Sequence, residues 1–300
     1  MVNGAKRLSN PSHRQAASDC PFQRYSNSAL RPSLSLVLWM DEVRADLAMT
    51  YCVAVAVDTG IVFCSDSLTN AGIDQVSTYS KMFSFGVDGE KQFVVLTAGN
   101  LATSQATLAK IKSDIGQDAT EHLLRMDSVA DAADYIGDLS REQQEKRAVE
   151  GKNFEASFII GGQVKGGRPE ILMIYPEGNH ITTSKDTNYL QIGESKYGKP
   201  ILDRVLAPEL NLETSAMAAL VSMDSTIRSN LGVGPPIELL IYRTDALQLD
   251  QPHRFEEGSD FLRDLKRNWD ARLKDAFRQM PPLAWATNWD RSDREQNGVS

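Results

Sequence analysis

The sequence has few cysteines and histidines, and their scarcity excludes several kinds of site. Three cysteines in 300 residues (Cys20, Cys52 and Cys64) are too few for a disulfide framework, which favours a reducing compartment. We expect Cys52 and Cys64 to be small buried apolar side chains. The four histidines are scattered without the spacing of metal ligands, so the sequence predicts neither a metal site nor a cofactor built on one.

An excess of positive charge and a long apolar run are also missing. Lys and Arg number 32 against 40 Asp and Glu, for a net charge of −8, so no global basic field attracts nucleic acid or an anionic membrane. The longest apolar run near the N-terminus, 34–40, is shorter than a membrane span, and no small-residue cleavage pattern follows it. We therefore predict a cytoplasmic protein without a nucleic-acid or membrane partner.

The first 49 residues differ in composition from the rest of the chain. They are rich in Ser, Arg, Asn and Pro and show no sustained periodicity, so we expect residues 1–49 to be disordered. They are either a removable pro-segment or the product of a start assigned too early. The second interpretation is favoured, because Met49 as initiator would be readily trimmed before a small residue such as Thr50. We divide the remainder into a folded domain, 50–245, and a C-terminal helix and tail, 246–300.

The pattern after Thr50 predicts alternating blocks of strands and helices. Period-2 and β-rich runs predict the strands 51–57, 61–65, 81–87, 92–97, 154–161, 170–175, 180–183, 189–192 and 237–243. Helical spacing of apolar residues predicts the helices 101–115, 129–148, 198–206, 212–229 and 256–280. This order suits two sheets, each covered by a pair of helices, in an α+β fold. The glycine-rich segment 161–167 joins two strands, so we interpret it as a hairpin turn rather than a phosphate loop.

Two predicted hairpins place chemically useful residues at their open ends. If the first turn is centred near Thr59–Gly60, Thr50 lies opposite Leu68 or Thr69, with Asp66 roughly 5–8 Å away at about 3.3 Å per strand residue. If the second is centred near Asp88–Gly89, Lys81 lies opposite Leu96 and close to Gly99. Each residue alone has an ordinary structural explanation, but their combination points to an active site.

Short segments of the sequence together resemble the proteasome β-subunits, and more narrowly the bacterial Anbu (ancestral β-subunit) group. The resemblance extends over nearly all of residues 49–245. The matching segments are MTYCV at 49–53, FCSDS at 63–67, TNAG at 69–72, SK at 80–81, TAGNLAT at 97–103, IGESKYGKP at 192–200, SMDST at 222–226 and SNL at 229–231. The resemblance implies the four-layer αββα sandwich of the Ntn (N-terminal nucleophile) hydrolases.

The same resemblance implies a set of site residues. Thr50 would be the nucleophile, Asp66 and Lys81 its charged partners, and the Gly99 amide the oxyanion donor. The resemblance also suggests Asp224 and Ser229 as further catalytic residues and Thr69 and Asn70 as substrate-binding residues. Glu194 departs from the pattern, because a serine commonly occupies that position in proteasome subunits. This departure leaves the support of the Thr50 amine unexplained.

These residue types fit acyl transfer. A threonine hydroxyl is a poor nucleophile unless a base takes its proton, and an N-terminal threonine has its own α-amino group, with a pKa near 7.7–8.0, to act as that base. Lys81 as a cation would lower the pKa of this amine, and Asp66 would hold the lysine in place. The glycine amide can approach a substrate carbonyl closely. No metal or cofactor is required.

The last predicted helix has an apolar stripe that suits either core packing or a subunit interface. Its members are Phe261, Leu262, Leu265, Trp269, Leu273, Phe277 and Met280. The family forms rings or open, ring-like assemblies, so we expect a homo-oligomer; a partner ATPase is not identifiable from the sequence. The predicted function is a threonine peptidase. The alternatives are a proteasome-like scaffold subunit with little hydrolysis and an Ntn amidase that acts on a specialised amide.

Overall fold

A computed structural model of the chain describes residues 50–70, 76–147, 154–184 and 186–283. The extension that we predicted to be disordered, 1–49, and the end of the tail, 284–300, lie outside the described residues. All four described ranges belong to one compact unit, Val43–Ser300.

Two five-stranded antiparallel sheets form the centre of the fold. The first has the spatial order β10–β1–β2–β11–β12 and the second the order β5–β6–β7–β8–β9, while β3 and β4 form a separate short hairpin. The strands are β1 (Tyr51–Val57), β2 (Gly60–Asp66), β3 (Leu68–Asn70), β4 (Val76–Thr78), β5 (Met82–Val87), β6 (Lys91–Gly99), β7 (Ala156–Val164), β8 (Glu170–Ile174), β9 (His180–Thr182), β10 (Tyr189–Gly193), β11 (Ile237–Arg243) and β12 (His253–Phe255).

Five α-helices lie within the described ranges, with a 3₁₀ turn at Leu123–Arg125. The helices are α1 (Leu101–Gly116), α2 (Val129–Arg147), α3 (Lys199–Val205), α4 (Leu212–Ser229) and α5 (Asp260–Arg278). Side chains of Asn100, Asn211 and Ser259 accept hydrogen bonds from amides in the first turns of α1, α4 and α5, which fixes where these helices begin. None of these helices is long and apolar enough to cross a membrane.

Three apolar clusters separate four layers. Along β1, Tyr51 and Val53 pack against the layer that contains α4, whereas Cys52 and Ala54 face the second sheet. A third cluster, centred on Phe93, fills the space between the second sheet and helices α1 and α2. The fold is therefore the αββα sandwich that we predicted. Because strands of both sheets are covered on each face, they consist mostly of apolar residues.

The predicted elements are confirmed, but both hairpin registers were wrong by one or two residues. Val57 pairs with Gly60, so the turn consists of two residues only, and Cys52 lies opposite Ser65. Continuing this register puts Thr50 opposite Ser67 rather than Leu68 or Thr69. In the second hairpin Met82 pairs with Leu96, so Lys81 lies beside Thr97.

The glycine-rich segment 161–167 forms a turn later than expected. Gly161 and Gly162 belong to β7, and the chain turns only after Val164. A Cβ at Gly161 would come within 2.7 Å of the Phe63 ring of the other sheet, so a glycine here lets the two sheets pack closely. Three short strands, β3, β4 and β12, were missed, because three residues carry too little periodicity to recognise.

Candidate active site

Thr50 lies immediately before β1, beside the end of β10 in the first sheet. It is 5% exposed. Its carbonyl oxygen accepts a hydrogen bond from the Glu194 amide, with an N–O distance of 2.7 Å. Gly193 packs against the same carbonyl in the left-handed region (φ +82°), and a Cβ there would lie 2.0 Å from the Thr50 oxygen. The backbone of Thr50 is therefore held tightly from the β10 side.

The next residue anchors this end of β1 to the helical layer. The Tyr51 hydroxyl lies 2.5 Å from the Ser222 hydroxyl of α4 and accepts a hydrogen bond of 2.6 Å from the side-chain Nε2 of Gln191. Burial raises the pKa of Tyr51 well above its ordinary value, so it stays a neutral hydrogen-bonding group. A Cβ at Gly198 would lie 2.5 Å from the same hydroxyl, so α3 can begin this close only with a glycine.

A buried ion pair lies directly beside this segment. Lys81 Nζ is 2.7 Å from Asp66 Oδ1, and the side chains are 8% and 0% exposed. The same Asp66 oxygen accepts a hydrogen bond of 3.0 Å from the amide of Tyr51, while its Oδ2 accepts one of 3.3 Å from Gly234. Lys81 also donates to the Leu68 carbonyl at 2.7 Å. One carboxylate oxygen thus connects the lysine to the residue that follows Thr50.

The environment of Asp66 acts on its charge in two opposing ways. Burial raises the pKa of this carboxyl above its ordinary value, and the Lys81 ammonium and the amides of Tyr51 and Gly234 oppose the rise. Loss of the lysine would remove the strongest influence that opposes burial and holds down the pKa of the carboxyl. The ion pair therefore depends on both partners being present.

The segment that carries Lys81 is fixed by a second polar chain. The Ser80 hydroxyl donates to Glu238 Oε2 at 2.7 Å, and Arg254 donates to the other oxygen of Glu238 at 3.0 Å. Glu238 lies on β11 and is buried. This connection ties the segment just before β5 in one sheet to β11 in the other, and so helps to fix the position from which Lys81 reaches Asp66.

Gly99 lies at the end of β6, two residues beyond Thr97, which pairs with Lys81. The Thr97 amide donates to the Lys81 carbonyl at 3.0 Å, so the two strands are paired at this point. Gly99 has φ +94°, a conformation that favours glycine, and a Cβ would lie 2.6 Å from the Glu155 carbonyl oxygen. The sharp turn at Gly99 leads directly into α1.

A mainly apolar pocket opens next to Lys81. Its volume is about 290 Å³, and the residues that line it include Tyr79, Phe83, Leu101 and Leu108. Thr97 and Leu101, the residues two positions before and after Gly99, both line this pocket. The Lys112 ammonium lies 5.3 Å from the centre of the Phe83 ring at its margin. The space suits one large apolar side chain.

The two later candidates, Asp224 and Ser229, do not join the Asp66–Lys81 pair in the structure. Burial raises the pKa of Asp224, and the charges that act on it are those of Lys266, Arg228 and Asp270. Asp224 therefore faces α5. Ser229 is exposed at the end of α4. The residue that follows Ser229 contacts the surroundings of Thr50 instead.

That residue is Asn230, which sequence reasoning missed. Its Nδ2 donates to Glu194 Oε2 at 3.2 Å, next to the Glu194 amide that holds the Thr50 carbonyl. Glu238 was missed as well. A single acidic residue within the apolar strand Ile237–Arg243 was an available signal for Glu238. Asn230 had no comparable signal, because a polar residue after a helix is ordinary.

The candidate substrate-binding residues lie on β3. Thr69 pairs with Ser77 and Asn70 with Val76, and the Lys81 ammonium reaches the carbonyl of the preceding Leu68. Among the described residues, the buried hydroxyls of Thr69 and of Ser67 have no hydrogen-bond partner. The β3 strand thus borders the ion pair.

Comparisons with known proteins identify one family for this chain. The family model described as "Proteasome subunit" matches residues 49–241. No curated protein matches the chain.

Several solved structures are similar over most of the chain. The Anbu complex from Pseudomonas aeruginosa, described as a helical assembly, is 45% identical over 80% of this chain and 100% of its own, with a TM-score of 0.76. Anbu from Yersinia bercovieri is 40% identical over 78% and 98%, with a TM-score of 0.75. Anbu from Hyphomicrobium sp. strain MC1 is 40% identical over 78% and 99%, with a TM-score of 0.72.

Proposed function

The chain belongs to the Anbu (ancestral β-subunit) group of the proteasome family, and we propose that it is a threonine peptidase whose nucleophile is Thr50. The enzyme works after removal of residues 1–49, in a cytoplasmic homo-oligomer. It cleaves peptide (amide) bonds through an acyl-enzyme on the Thr50 hydroxyl.

One observation carries this proposal. Asp66 Oδ1 accepts from both the Lys81 ammonium and the amide of Tyr51, so a buried cation lies beside the residue that precedes Tyr51. Burying a lysine is costly unless it is paired and hydrogen-bonded. A subunit that served only as scaffold would not need this cation at the start of β1. Its position suits the stabilisation of negative charge that develops on a Thr50 oxygen.

The proton from the Thr50 hydroxyl needs a base, and the α-amino group of the same residue supplies one. This amine exists only when the chain begins at Thr50. During attack the hydroxyl oxygen forms a bond to the substrate carbonyl carbon, and its proton passes to the amine and then to the leaving nitrogen. Water hydrolyses the resulting ester and restores the threonine.

Gly99 and the pocket beside it supply the remaining parts. The Gly99 amide, at the turn into α1, is the proposed donor to the substrate oxyanion. The pocket receives the side chain next to the scissile bond, and its lining by Phe83, Leu101 and Leu108 favours a large apolar residue there. Thr69 and Asn70, on the strand that borders the ion pair, are proposed to contact the substrate backbone.

Self-assembly is supported by the surface of α5. Leu265 is the buried residue of this helix, whereas Phe261, Leu273 and Phe277 are exposed, the last by 69%. A row of exposed apolar residues suits burial against another copy of the chain. The similar Pseudomonas aeruginosa protein is described as a helical assembly. Replacing Leu273 and Phe277 by glutamate should reduce the assembly size measured by analytical ultracentrifugation.

Hydrolysis of fluorogenic peptide amides tests the proposal. A chain that begins at Thr50 should cleave peptides with a large apolar residue before the scissile bond, and Thr50→Ala should abolish cleavage. A Thr50→Ser variant retains a hydroxyl and an amine and serves as the matched control, with activity retained. If the assembled protein forms no acyl-enzyme with any peptide or small amide, the scaffold alternative is supported instead. Turnover of small amides alone would favour the specialised amidase.

A further inference from the structure

The pocket beside Lys81 runs along one face of helix α1. The α1 residues that line it recur at intervals of three and four positions, as residues on one face of a helix do. From the first of them to the last, the helix advances roughly 16 Å at about 1.5 Å per residue. The pocket therefore extends from the Lys81 end of α1 toward the last turn of the helix. These α1 residues are Leu101, Ser104, Gln105, Leu108, Ala109 and Lys112.

The edge strand β5 contributes to the opposite wall. Lys81 immediately precedes this strand and Phe83 lies two residues further on, so both side chains point to the same face of the sheet. Their Cα atoms are about 7 Å apart at about 3.3 Å per strand residue. Both residues line the pocket. Lys81 thus marks the end of the pocket at which the proposed reaction takes place, and Phe83 lies deeper.

A second cation, Lys112, lies at the far end of the pocket. Its ammonium is 5.3 Å from the centre of the Phe83 ring, and the residue is exposed. Long side chains on a helix point back toward its N-terminus, which brings this ammonium from the end of α1 to the level of Phe83. The wall formed by Phe83 therefore separates the Lys112 charge from the Lys81 charge.

The polar groups of the pocket differ in the partners that they already have. Lys81 is paired with Asp66 at 2.7 Å. The hydroxyls of Ser80 and Ser104 donate hydrogen bonds within the protein. Among the residues that the structure describes, no ion pair includes Lys112, whose ammonium contacts the Phe83 ring. The Lys112 ammonium is therefore well placed to bind an oxygen atom of a ligand that fills the pocket.

We propose that Lys112 determines specificity, so that the pocket selects an aromatic side chain with a negative or hydrogen-bond-accepting group at its far end. Tyrosine is the ordinary residue of this kind. The apolar walls hold the ring, while the ammonium donates to the terminal oxygen and repels a cation in the same place. The inference rests on the proposed function in taking this pocket as the one that receives the side chain before the scissile bond. It refines the preference for a large apolar residue by adding a preference for charge at one point.

Three matched peptide amides test this preference. They differ only in the residue before the scissile bond, which is phenylalanine, 4-carboxyphenylalanine or 4-(aminomethyl)phenylalanine, so the ring is constant while its end is neutral, negative or positive. The enzyme is the chain that begins at Thr50, which contains all three apolar clusters, formed by residues between 51 and 265. Because attraction of one charge and repulsion of the other add, kcat/KM should be about tenfold higher for the carboxylate peptide than for the cationic one.

Variants of two lysines on α1 assign this ratio to one side chain. Lys112→Met should bring the ratio close to one, and Lys112→Glu should invert it. The matched control is Lys110→Met, which removes the same charge from a lysine that is paired with Asp114, and the ratio should stay as in the wild type. Each ratio is measured within one variant, so differences in the amount of active protein cancel. A ratio near one in the wild type, or an equal change in Lys110→Met, would overturn the proposal.

Binding separates this inference from the proposed function. In a Thr50→Ala chain, fluorescence anisotropy of the labelled peptides gives Kd without hydrolysis. The carboxylate peptide should bind most tightly and the cationic peptide least, and the additional change Lys112→Met should remove this ranking. The ranking in Kd without any hydrolysis by the chain from Thr50 would defeat the proposed function and leave this inference standing. Hydrolysis without the ranking would do the reverse, and failure of all three peptides to bind would refute the inference.

Discussion

Replacing Lys81 by methionine tests how the candidate site is held together. Methionine has a similar length but no charge, so the change removes the partner of Asp66 and little else. The carboxylate, whose side chain is fully buried, would keep only its hydrogen bonds from Tyr51 and Gly234. Breaking a buried ion pair by removing one partner typically costs about 3–5 kcal/mol.

This cost should be visible in thermal unfolding. For a domain of this size, 1 kcal/mol corresponds to about 2–4 °C in Tm, so Lys81→Met should lower Tm by about 6–20 °C. The control is Lys146→Met, which removes a lysine from a pair whose side chains are 57% and 48% exposed. Such surface pairs contribute at most about 1 kcal/mol, so Tm should change by at most about 4 °C.

The double variant Asp66→Asn with Lys81→Met separates charge from packing. Without the aspartate charge, the methionine no longer faces an unpaired carboxylate, and about 1–3 kcal/mol of the loss should be recovered. Peptide hydrolysis should be absent from both variants, since the cation is missing in each. If Lys81→Met alone unfolds at the temperature of the wild type, the pair is not the buried, mutually dependent ion pair described above.

Three further predictions concern the surroundings of Thr50. Leu101→Trp should fill much of the 290 Å³ pocket and raise KM about tenfold or more for substrates with a large apolar side chain, but not for those with alanine. Gly193→Ala should lower kcat/KM at least tenfold and Tm by several degrees, since its φ of +82° is strained for alanine by about 1–3 kcal/mol and its Cβ would displace the Thr50 carbonyl. Burial raises the pKa of Cys52 and Cys64, so a thiol reagent should modify neither in the native chain from Thr50 and both in guanidinium.

The sequence was sufficient to predict the secondary-structure elements and the layers, because apolar residues mark the strands of both sheets clearly. β1, α4 and β11 begin and end where their apolar patterns do. The register between paired strands was harder to predict from the sequence, because it depends on the number of residues in the turn that joins them. The two-residue turn between Val57 and Gly60 moved each expected partner of Thr50 by one or two positions.

Site residues separated into those with a local signal and those defined only by tertiary contacts. Asp66 and Lys81 were brought together as expected, since each lies at the open end of a hairpin. Asp224 was suggested by the family resemblance, but in the structure it faces the charged side chains of α5. Asn230 and Glu194 meet across 36 positions of the sequence, and no local pattern predicts such a contact.

The central claim is that the hydroxyl and the α-amine of Thr50 react as one unit. A peptide α′,β′-epoxyketone tests this directly, because its stable adduct forms only when a hydroxyl and an amine of the same residue attack adjacent carbons. Intact mass and peptide mapping should find one adduct on Thr50 in a chain that begins there, and none in a chain that retains residues 1–49. An adduct on another residue, equal modification of the longer chain, or no adduct on the chain from Thr50 would contradict the account.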